Sequence, residues 1–111
     1  MTIAVDFDGT IVYGDYPRID SLQQFAKSTL QKWHDEGHYI IIWTCRCDSL
    51  LIEAINYLLE NEVPFDRIND NRPEDIRKYG HNSRKINADV YIDDKNVGGF
   101  DGWYNLSKKI L

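Results

Sequence analysis

Two pairs of closely spaced aspartates are the residues of this sequence best suited to chemistry. Asp6 and Asp8 lie in the run Asp-Phe-Asp-Gly-Thr near the start, and Asp93 and Asp94 are adjacent near the end. When two carboxylates are two residues apart at a turn, one can attack as a nucleophile while the other gives or takes a proton. The same Asp-x-Asp-Gly pattern also occurs in calcium-binding loops and solvated turns, so the first pair alone leaves these alternatives open.

Three further polar residues accompany the aspartates. Thr44 closes an apolar run, Arg46 lies two residues beyond it, and Lys85 precedes another apolar run. Phosphoryl transfer requires an aligned nucleophile, a divalent cation on nonbridging oxygens, and donors that hold the transferring group. The sequence offers a candidate for each of these requirements.

The crowding of carboxylates predicts a bound divalent cation. Carboxylates that meet at one point repel one another, and a hard cation compensates for that repulsion. Ligand sets made only of oxygen favour Mg²⁺ over Zn²⁺. We therefore expect Mg²⁺ as the cofactor where the two aspartate pairs converge.

The apolar pattern predicts the elements that must position these residues. Short apolar runs at residues 3–7, 39–43, 65–68 and 88–92 predict four strands. Helices are predicted from Asp20, with Gln23 in a capping box, to Gly37, from Asp48 to before Pro64, from Pro73 to Gly80, and over residues 103–111. Residues 11–18 predict a small hairpin or flap, because a Gly-Asp pair lies between aromatic residues there.

Strands that alternate with helices predict an α/β fold with an open parallel sheet and right-handed crossovers. Ligands of such sheets bind at the carboxyl ends of the strands, near the point where the strand order reverses. We expect every polar cluster named above to lie on that one edge.

Length, composition and charge narrow the class of protein. The chain has 111 residues, 42% of them hydrophobic, which predicts one domain over residues 1–111. Its net charge of -5 argues against nucleic acid or an anionic membrane as a partner. Cys45 and Cys47 are separated by one residue, a poor spacing for a disulfide, and we interpret them as small buried hydrophobes. With no signal peptide or membrane-length apolar run, we expect a cytoplasmic location.

In its motifs the sequence resembles the haloacid dehalogenase superfamily. The family's four motifs match Asp6-Phe7-Asp8-Gly9-Thr10, Thr44, Lys85 and Asp93-Asp94. The resemblance implies a three-layer Rossmann-like fold with helices on both faces of the sheet. It also implies that Asp6 forms an aspartyl-phosphate, that Asp8 protonates the leaving group and then activates water, and that Thr44 and Lys85 hold the phosphoryl oxygens.

The resemblance also implies a metal set and a reaction type. Mg²⁺ would be bound by Asp6, the backbone carbonyl of Asp8, and Asp93, with Asp94 acting directly or through water. An aspartate at the position of Asp8 favours a phosphatase over a dehalogenase, because an oxygen leaving group needs a proton donor. The expected activity is hydrolysis of a phosphate monoester.

The spacing of the motifs predicts a member of this superfamily without a cap domain. Each interval where the family inserts a cap is about forty residues long here and is already filled by predicted core elements. The resulting open site suits a small-molecule or extended phosphorylated substrate, or else a homo-oligomer in which a neighbouring subunit supplies the lid.

Several alternatives remain open from the sequence alone. Arg46 either grips a substrate phosphate or carboxylate with its planar fork, or forms a structural salt bridge. Asn69 and Asn71 either orient a substrate or, as we favour, form turns. The competing functions are a receiver-like module switched by phosphorylation and a catalytically idle module that binds a phosphorylated ligand. The order of the acidic motifs argues against the receiver.

Overall fold

Six strands and four helices form the framework of the structure, a computed structural model that describes residues 1–109. The strands are β1 (Thr2–Val5), β2 (Val12–Tyr13), β3 (Ser21–Leu22), β4 (Tyr39–Ile42), β5 (Arg67–Ile68) and β6 (Val90–Ile92). The helices are α1 (Ala26–Asp35), α2 (Asp48–Glu60), α3 (Pro73–Tyr79) and α4 (Trp103–Lys109). The fold is therefore α/β, as expected from the alternation of apolar and amphipathic segments.

The central sheet has four parallel strands in the order β5-β4-β1-β6. The chain adds β4 and β5 on one side of β1 and then returns to add β6 on the other side, so the strand order reverses at β1. Val5, the last residue of β1, lies opposite Ile42 and Ile92. The residues that follow these three strands therefore meet at the reversal point, where open α/β sheets bind their ligands.

The larger of two apolar clusters lies on one face of the sheet. Ile3 and Val5 of β1 pack there with residues of α1, α2 and α4, among them the fully buried Leu30, Trp33 and Leu58. Burial of this apolar surface is the main force that fixes the sheet and its carboxyl edge. The indole rings of Trp33 and Trp103 lie 5.8 Å apart, between α1 and α4.

The opposite face of the sheet departs from the expectation of helices on both sides. Ala4 and Ile41 point to that face, where they pack with Ile86 from the segment before β6. The short helix α3 has no buried residue. Irregular chain, rather than a helix with an apolar stripe, thus supplies the cover that Ala4 and Ile41 need.

The expected capping box at Asp20 is wrong. Residues 21 and 22 form β3, which pairs with β2 in an antiparallel hairpin, and α1 begins only at Ala26. The Gln23 side chain donates to the carbonyl oxygens of Gly9 and Val12 at 2.8 and 3.3 Å instead of capping a helix. Pairing with a strand nine residues earlier overrode the local capping pattern.

The other predicted elements are present with shifted boundaries. The hairpin expected in residues 11–18 is confirmed in β2, although its second strand lies farther along. Helix α3 begins at Pro73 and is followed by Gly80 in the left-handed conformation, as predicted. The terminal helix was expected over residues 103–111, and residues 110 and 111 of it lie outside the described part. Within the part described, no helix combines the length and apolarity that a membrane span requires.

Candidate functional site

A cavity of about 520 Å³ opens at the carboxyl edge of the central sheet. Its lining includes Asp6 and Asp8 after β1, Thr44 after β4, and Asp93 and Asp94 after β6. The sequence predicted this convergence, since each of these residues follows an apolar strand. Carboxylate oxygens of Asp6, Asp93 and Asp94 all lie within 4.8 Å of one another.

Thr10 ties the two aspartate pairs together. The Thr10 hydroxyl donates to Asp6 Oδ2 at 3.0 Å, and Thr10 Oγ1 accepts the backbone N–H of Asp94 at 3.0 Å. The Thr10 carbonyl accepts the indole N–H of Trp103 at 2.7 Å, and Thr10 is fully buried. The turn after β1 is thus fastened to the turn after β6 and to α4, which holds Asp6 and Asp94 at fixed positions.

The carboxylate of Asp6 is unstable as an isolated anion. Burial raises its pKa from 3.8 to about 7, the charge of Asp93 adds to that rise, and the hydrogen bond from Thr10 opposes it. The neighbouring carboxyl group of Asp94 raises the pKa further. The Asp6 carboxylate therefore lies beside like charges, and a cation bound close to it would lower its pKa.

One carboxylate oxygen of Asp94 is buried and has no hydrogen-bond partner in the described part of the chain. Among the buried side-chain nitrogens and oxygens of residues 1–109, only Asp94 Oδ1 and Trp33 Nε1 have no hydrogen-bond partner. An unpaired buried carboxylate oxygen costs free energy, and a cation bound there would satisfy it. The oxygen-only donor set of Asp6, Asp93 and Asp94 fits Mg²⁺.

The close approach of the chain to Asp94 requires glycine at position 9. Gly9 has φ +78°, and a Cβ placed on it would overlap the Asp94 carboxylate. The glycine thus serves both the left-handed turn after β1 and the space that the second aspartate pair occupies.

Thr44 is positioned by Asn69, a residue for which the sequence favoured a turn. The Asn69 side chain accepts the Thr44 N–H and donates to the Thr44 carbonyl, both at 2.8 Å. Asn69 itself has a left-handed backbone, with φ 52°, at a bend of the chain directly after β5. The Thr44 hydroxyl accepts the backbone N–H of Arg46 at 3.1 Å. Asn69 therefore acts on the site through the backbone of Thr44.

Asn71 is also structural. It is buried, and its side chain donates to Asn82 and to the Ser83 carbonyl at 2.8 and 3.0 Å. Its side-chain oxygen accepts the Asn87 N–H at 2.7 Å. These bonds hold the segment that runs from α3 to β6.

Arg46 forms the salt bridge that the sequence left as one of two alternatives. Its guanidinium donates to both oxygens of Asp8, at 2.7 and 2.8 Å, and its side chain is fully buried. The hydrogen bonds that Arg46 donates to Asp8 raise the pKa of Arg46 above its usual value. The guanidinium is occupied by the protein and does not lie in the cavity lining as a free substrate ligand.

Lys85 does not lie at the cavity. Its side chain is exposed, its ammonium lies 5.3 Å from the ring centroid of Tyr91, and it lines a separate cavity of about 330 Å³ with Tyr79 and Ser83. The reason is the direction of β6: Lys85 precedes the strand, whereas Asp93 follows it. The expectation that Lys85 would join the other polar residues at the carboxyl edge is therefore wrong.

Lys95, rather than Lys85, is the lysine that lines the cavity. It lines the cavity together with Asp93 and Asp94, and its backbone N–H donates to Asp93 Oδ1 at 2.9 Å. Its place directly after the second aspartate pair was the signal that could have identified it. Thr10 was also not identified from the sequence as a residue of the site, although it belongs to the first motif.

The two cysteines are not buried hydrophobes, as the sequence interpretation had them. Cys45 and Cys47 are both free thiols on exposed residues, and Cys45 lines the cavity. Both lie in the loop between β4 and α2, whose inward position is taken by the side chain of Arg46.

A solved structure of a conserved protein coded by a locus from Bacteroides thetaiotaomicron is similar to this chain. The two share 44% sequence identity over 99% of this chain and 88% of the other, with a TM-score of 0.87. No protein-family model matches the chain, and no curated protein matches it. The likeness spans the strands and loops that carry the cavity.

Proposed function

We propose that this chain, which belongs to the same family as the conserved Bacteroides thetaiotaomicron protein, is a Mg²⁺-dependent phosphohydrolase of the haloacid dehalogenase type. Its substrate class is the phosphate monoester. The observation that carries the proposal is the convergence of Asp6, Asp8, Asp93 and Asp94 on one cavity where the strand order reverses. A nucleophile, an acid/base and a cation-binding group are the parts that phosphoryl transfer requires.

The proposed reaction has two steps that are linked by a phosphorylated Asp6. In the first, a carboxylate oxygen of Asp6 bonds to phosphorus, the ester P–O bond breaks, and Asp8 gives its proton to the leaving oxygen. In the second, a water oxygen bonds to phosphorus, the bond to Asp6 breaks, and Asp8 takes the proton from water. The products are an alcohol and orthophosphate, and both aspartates return to their starting state.

Asp6, Asp93, Asp94 and the backbone carbonyl of Asp8 would hold Mg²⁺. The unpartnered Asp94 Oδ1 and the raised pKa of Asp6 support this donor set. When bound, Mg²⁺ draws charge from the phosphoryl oxygens and offsets the repulsion among the carboxylates. Thr44 and Lys95, both in the cavity lining, would hold the phosphoryl oxygens.

We propose that the site functions without a lid domain. Between Asp8 and Thr44 the chain forms the β2–β3 hairpin, α1 and β4, and between Arg46 and Lys95 it forms α2, β5, α3 and β6. This content of short elements supports the proposal for the described residues. The cavity is therefore expected to accept a phosphate on an extended substrate, or a second copy of the chain as its cover.

Mg²⁺ dependence is the experiment that tests the proposed function. We expect phosphate monoesters to be hydrolysed only with Mg²⁺, and hydrolysis to stop with excess chelator, because the carboxylates otherwise repel a dianionic substrate. The measurement is release of orthophosphate from a panel of esters. Full activity in excess chelator would contradict the metal assignment.

The stabilisation of the fold by Mg²⁺ should depend on pH, in a direction that follows from the pKa of Asp6. The pKa of Asp6 is about 7 in the folded state, so Asp6 becomes an anionic ligand only as pH rises through about 7. Without Mg²⁺, the folded state holds this proton more tightly than the unfolded state does, and the free energy of unfolding falls as pH rises from about 4 to 7. Mg²⁺ should therefore raise the melting temperature more at pH 8 than at pH 5.

Two glycines provide a matched control for the metal site. Gly9 and Gly37 both have positive φ, at +78° and +92°, but a Cβ at Gly37 would meet nothing within 4 Å. Both alanine variants carry backbone strain, of about 1 kcal/mol. Only Gly9→Ala should also displace Asp94 and abolish the stabilisation by Mg²⁺. Equal Mg²⁺ effects in the two variants would contradict the assignment of Asp94.

The two lysines provide a test of the phosphate-binding group. We expect Lys95→Met to reduce kcat/KM about 10-fold or more, since a hydrogen bond to a charged group contributes about 1.5–3 kcal/mol. Lys85→Met should leave kcat/KM unchanged, because Lys85 lies against Tyr91 outside the cavity. Steady-state kinetics on one ester decide the point. A loss in Lys85→Met without one in Lys95→Met would reverse the assignment.

A further inference from the structure

Among the charged side chains in the cavity wall and directly behind it, that of Arg46 is the most completely buried. Its side chain is 0% exposed, and the Asp8 side chain that it contacts is 26% exposed. Arginine is almost never fully buried unless it is paired, since an uncompensated buried charge is strongly destabilising. The position of this guanidinium is therefore fixed by its partners.

All three nitrogens of the Arg46 guanidinium donate hydrogen bonds to groups of the protein. Nε donates to Asp8 Oδ2 at 2.8 Å and Nη2 to Asp8 Oδ1 at 2.7 Å, a bidentate pair. Nη2 also donates to the Pro17 carbonyl at 2.7 Å, and Nη1 donates to the Leu50 carbonyl at 3.2 Å. The carbon Cζ lies 5.3 Å from the ring centroid of Phe7 and 5.2 Å from that of Tyr16.

These contacts join three parts of the chain, two of which are distant in sequence from Arg46. Asp8 belongs to the turn after β1, Tyr16 and Pro17 to the loop between β2 and β3, and Leu50 to α2. Asp8 and Tyr16 both line the cavity, so Arg46 connects two neighbouring parts of its wall from behind. The proposed acid/base and the loop beside it are thus held by one side chain.

We propose that Arg46 is a positioning residue for the leaving-group side of the site. It orients the Asp8 carboxyl group toward the leaving oxygen and fixes the Tyr16–Pro17 loop as the adjacent wall. This inference rests on the proposed phosphohydrolase function, in which Asp8 moves the proton. It replaces the alternative that Arg46 itself grips the substrate.

The planar fork of arginine is what the role requires. Two parallel N–H donors fix the plane of the Asp8 carboxyl group, while a third donor reaches Pro17. Lysine keeps the positive charge but is a point donor on a flexible stem, so it does not fix that plane. Arg46→Lys therefore separates the charge of the residue from its geometry.

The test compares two phosphate monoesters that differ in their need for a proton. Nitrophenolate leaves readily without protonation, whereas an alkoxide requires the proton from Asp8. We expect Arg46→Lys to reduce kcat/KM about 10–100-fold for an alkyl phosphate and less than about 3-fold for nitrophenyl phosphate. The constant kcat/KM is chosen because it reports the steps up to the first irreversible one.

A double-mutant cycle and a matched control complete the test. If Arg46 acts through Asp8, then adding Arg46→Lys to Asp8→Asn should cause no further loss with the alkyl ester. The control is Arg18→Lys. Arg18 is an exposed arginine in the loop between β2 and β3, and it pairs with Asp20 at 2.6 Å. Arg46→Gln, which keeps a planar donor group, is the second variant should Arg46→Lys fail to fold.

The outcomes separate this inference from the proposed function. A larger loss with the alkyl ester, absent from the double mutant, supports the positioning role. Equal losses with both esters, or additive losses in the double mutant, would overturn it while leaving a phosphohydrolase. Failure of the wild-type protein to hydrolyse either ester would overturn the proposed function itself.

Discussion

Asp6→Asn is expected to reduce hydrolysis of every phosphate monoester to the background rate. The amide has nearly the shape of the carboxylate but cannot attack phosphorus as an anion. Loss of an essential nucleophile lowers kcat on the order of 10⁶-fold in a well-studied hydrolase. We therefore expect a large fall in kcat even if Asp6 contributes less to the rate than that nucleophile does. The measurement is steady-state release of orthophosphate with Mg²⁺ present.

A stability measurement shows that this loss is chemical rather than structural. Because burial and neighbouring charge raise the pKa of Asp6 to about 7, a neutral side chain there should stabilise the fold at pH 8 in chelator. The matched control is Asp35→Asn, an exposed carboxylate of α1 that accepts a hydrogen bond from Gln31. Undiminished turnover in Asp6→Asn, or a comparable loss in Asp35→Asn, would contradict the role of Asp6.

Asp8→Asn is expected to fail in a different way. Without a proton donor for the leaving oxygen or a base for water, both steps should slow by roughly 10²–10⁴-fold with an alkyl ester. With nitrophenyl phosphate the first step needs little protonation, so the variant should form the phosphoenzyme and then hydrolyse it slowly. We therefore expect a burst of nitrophenolate of about one equivalent, a fingerprint of covalent catalysis.

The pairing with Arg46 affects how this variant must be measured. Asp8→Asn replaces one of the two carboxyl oxygens that accept from the buried Arg46 guanidinium with an amide donor, and the free energy of unfolding should fall. Kinetics are therefore measured well below the melting temperature, which is determined for each variant. A folded Asp8→Asn protein that hydrolyses both esters as fast as wild type, with no burst, would exclude Asp8 as the acid/base.

The positions of the aspartates and of Thr44 could be predicted because they depend on strand ends. Apolar runs mark β1, β4 and β6, and parallel strands bring their carboxyl ends to one edge. Asp6 and Asp93 follow the last residues of β1 and β6 directly, and Thr44 lies two residues after β4. Short-range sequence information therefore sufficed for this part of the site.

The predictions that failed concern residues whose positions depend on contacts between distant parts of the chain. Lys85 has the right residue type near β6, but the direction of the strand places it away from the cavity. The Asp20 pattern predicted a helix cap, yet pairing of β3 with β2 decided that segment. Arg46 joins Asp8, thirty-eight residues away, and no local pattern distinguishes that salt bridge from a substrate contact.

The most direct test of the account is to trap the phosphoenzyme. Wild-type protein with Mg²⁺ and a labelled phosphate monoester is quenched in acid during turnover, and the labelled peptide is sequenced by mass spectrometry. We predict label on Asp6, more of it in Asp8→Asn with nitrophenyl phosphate, and none in Asp6→Asn. Label on any other residue, or turnover by Asp6→Asn at the wild-type rate, would contradict the proposed mechanism.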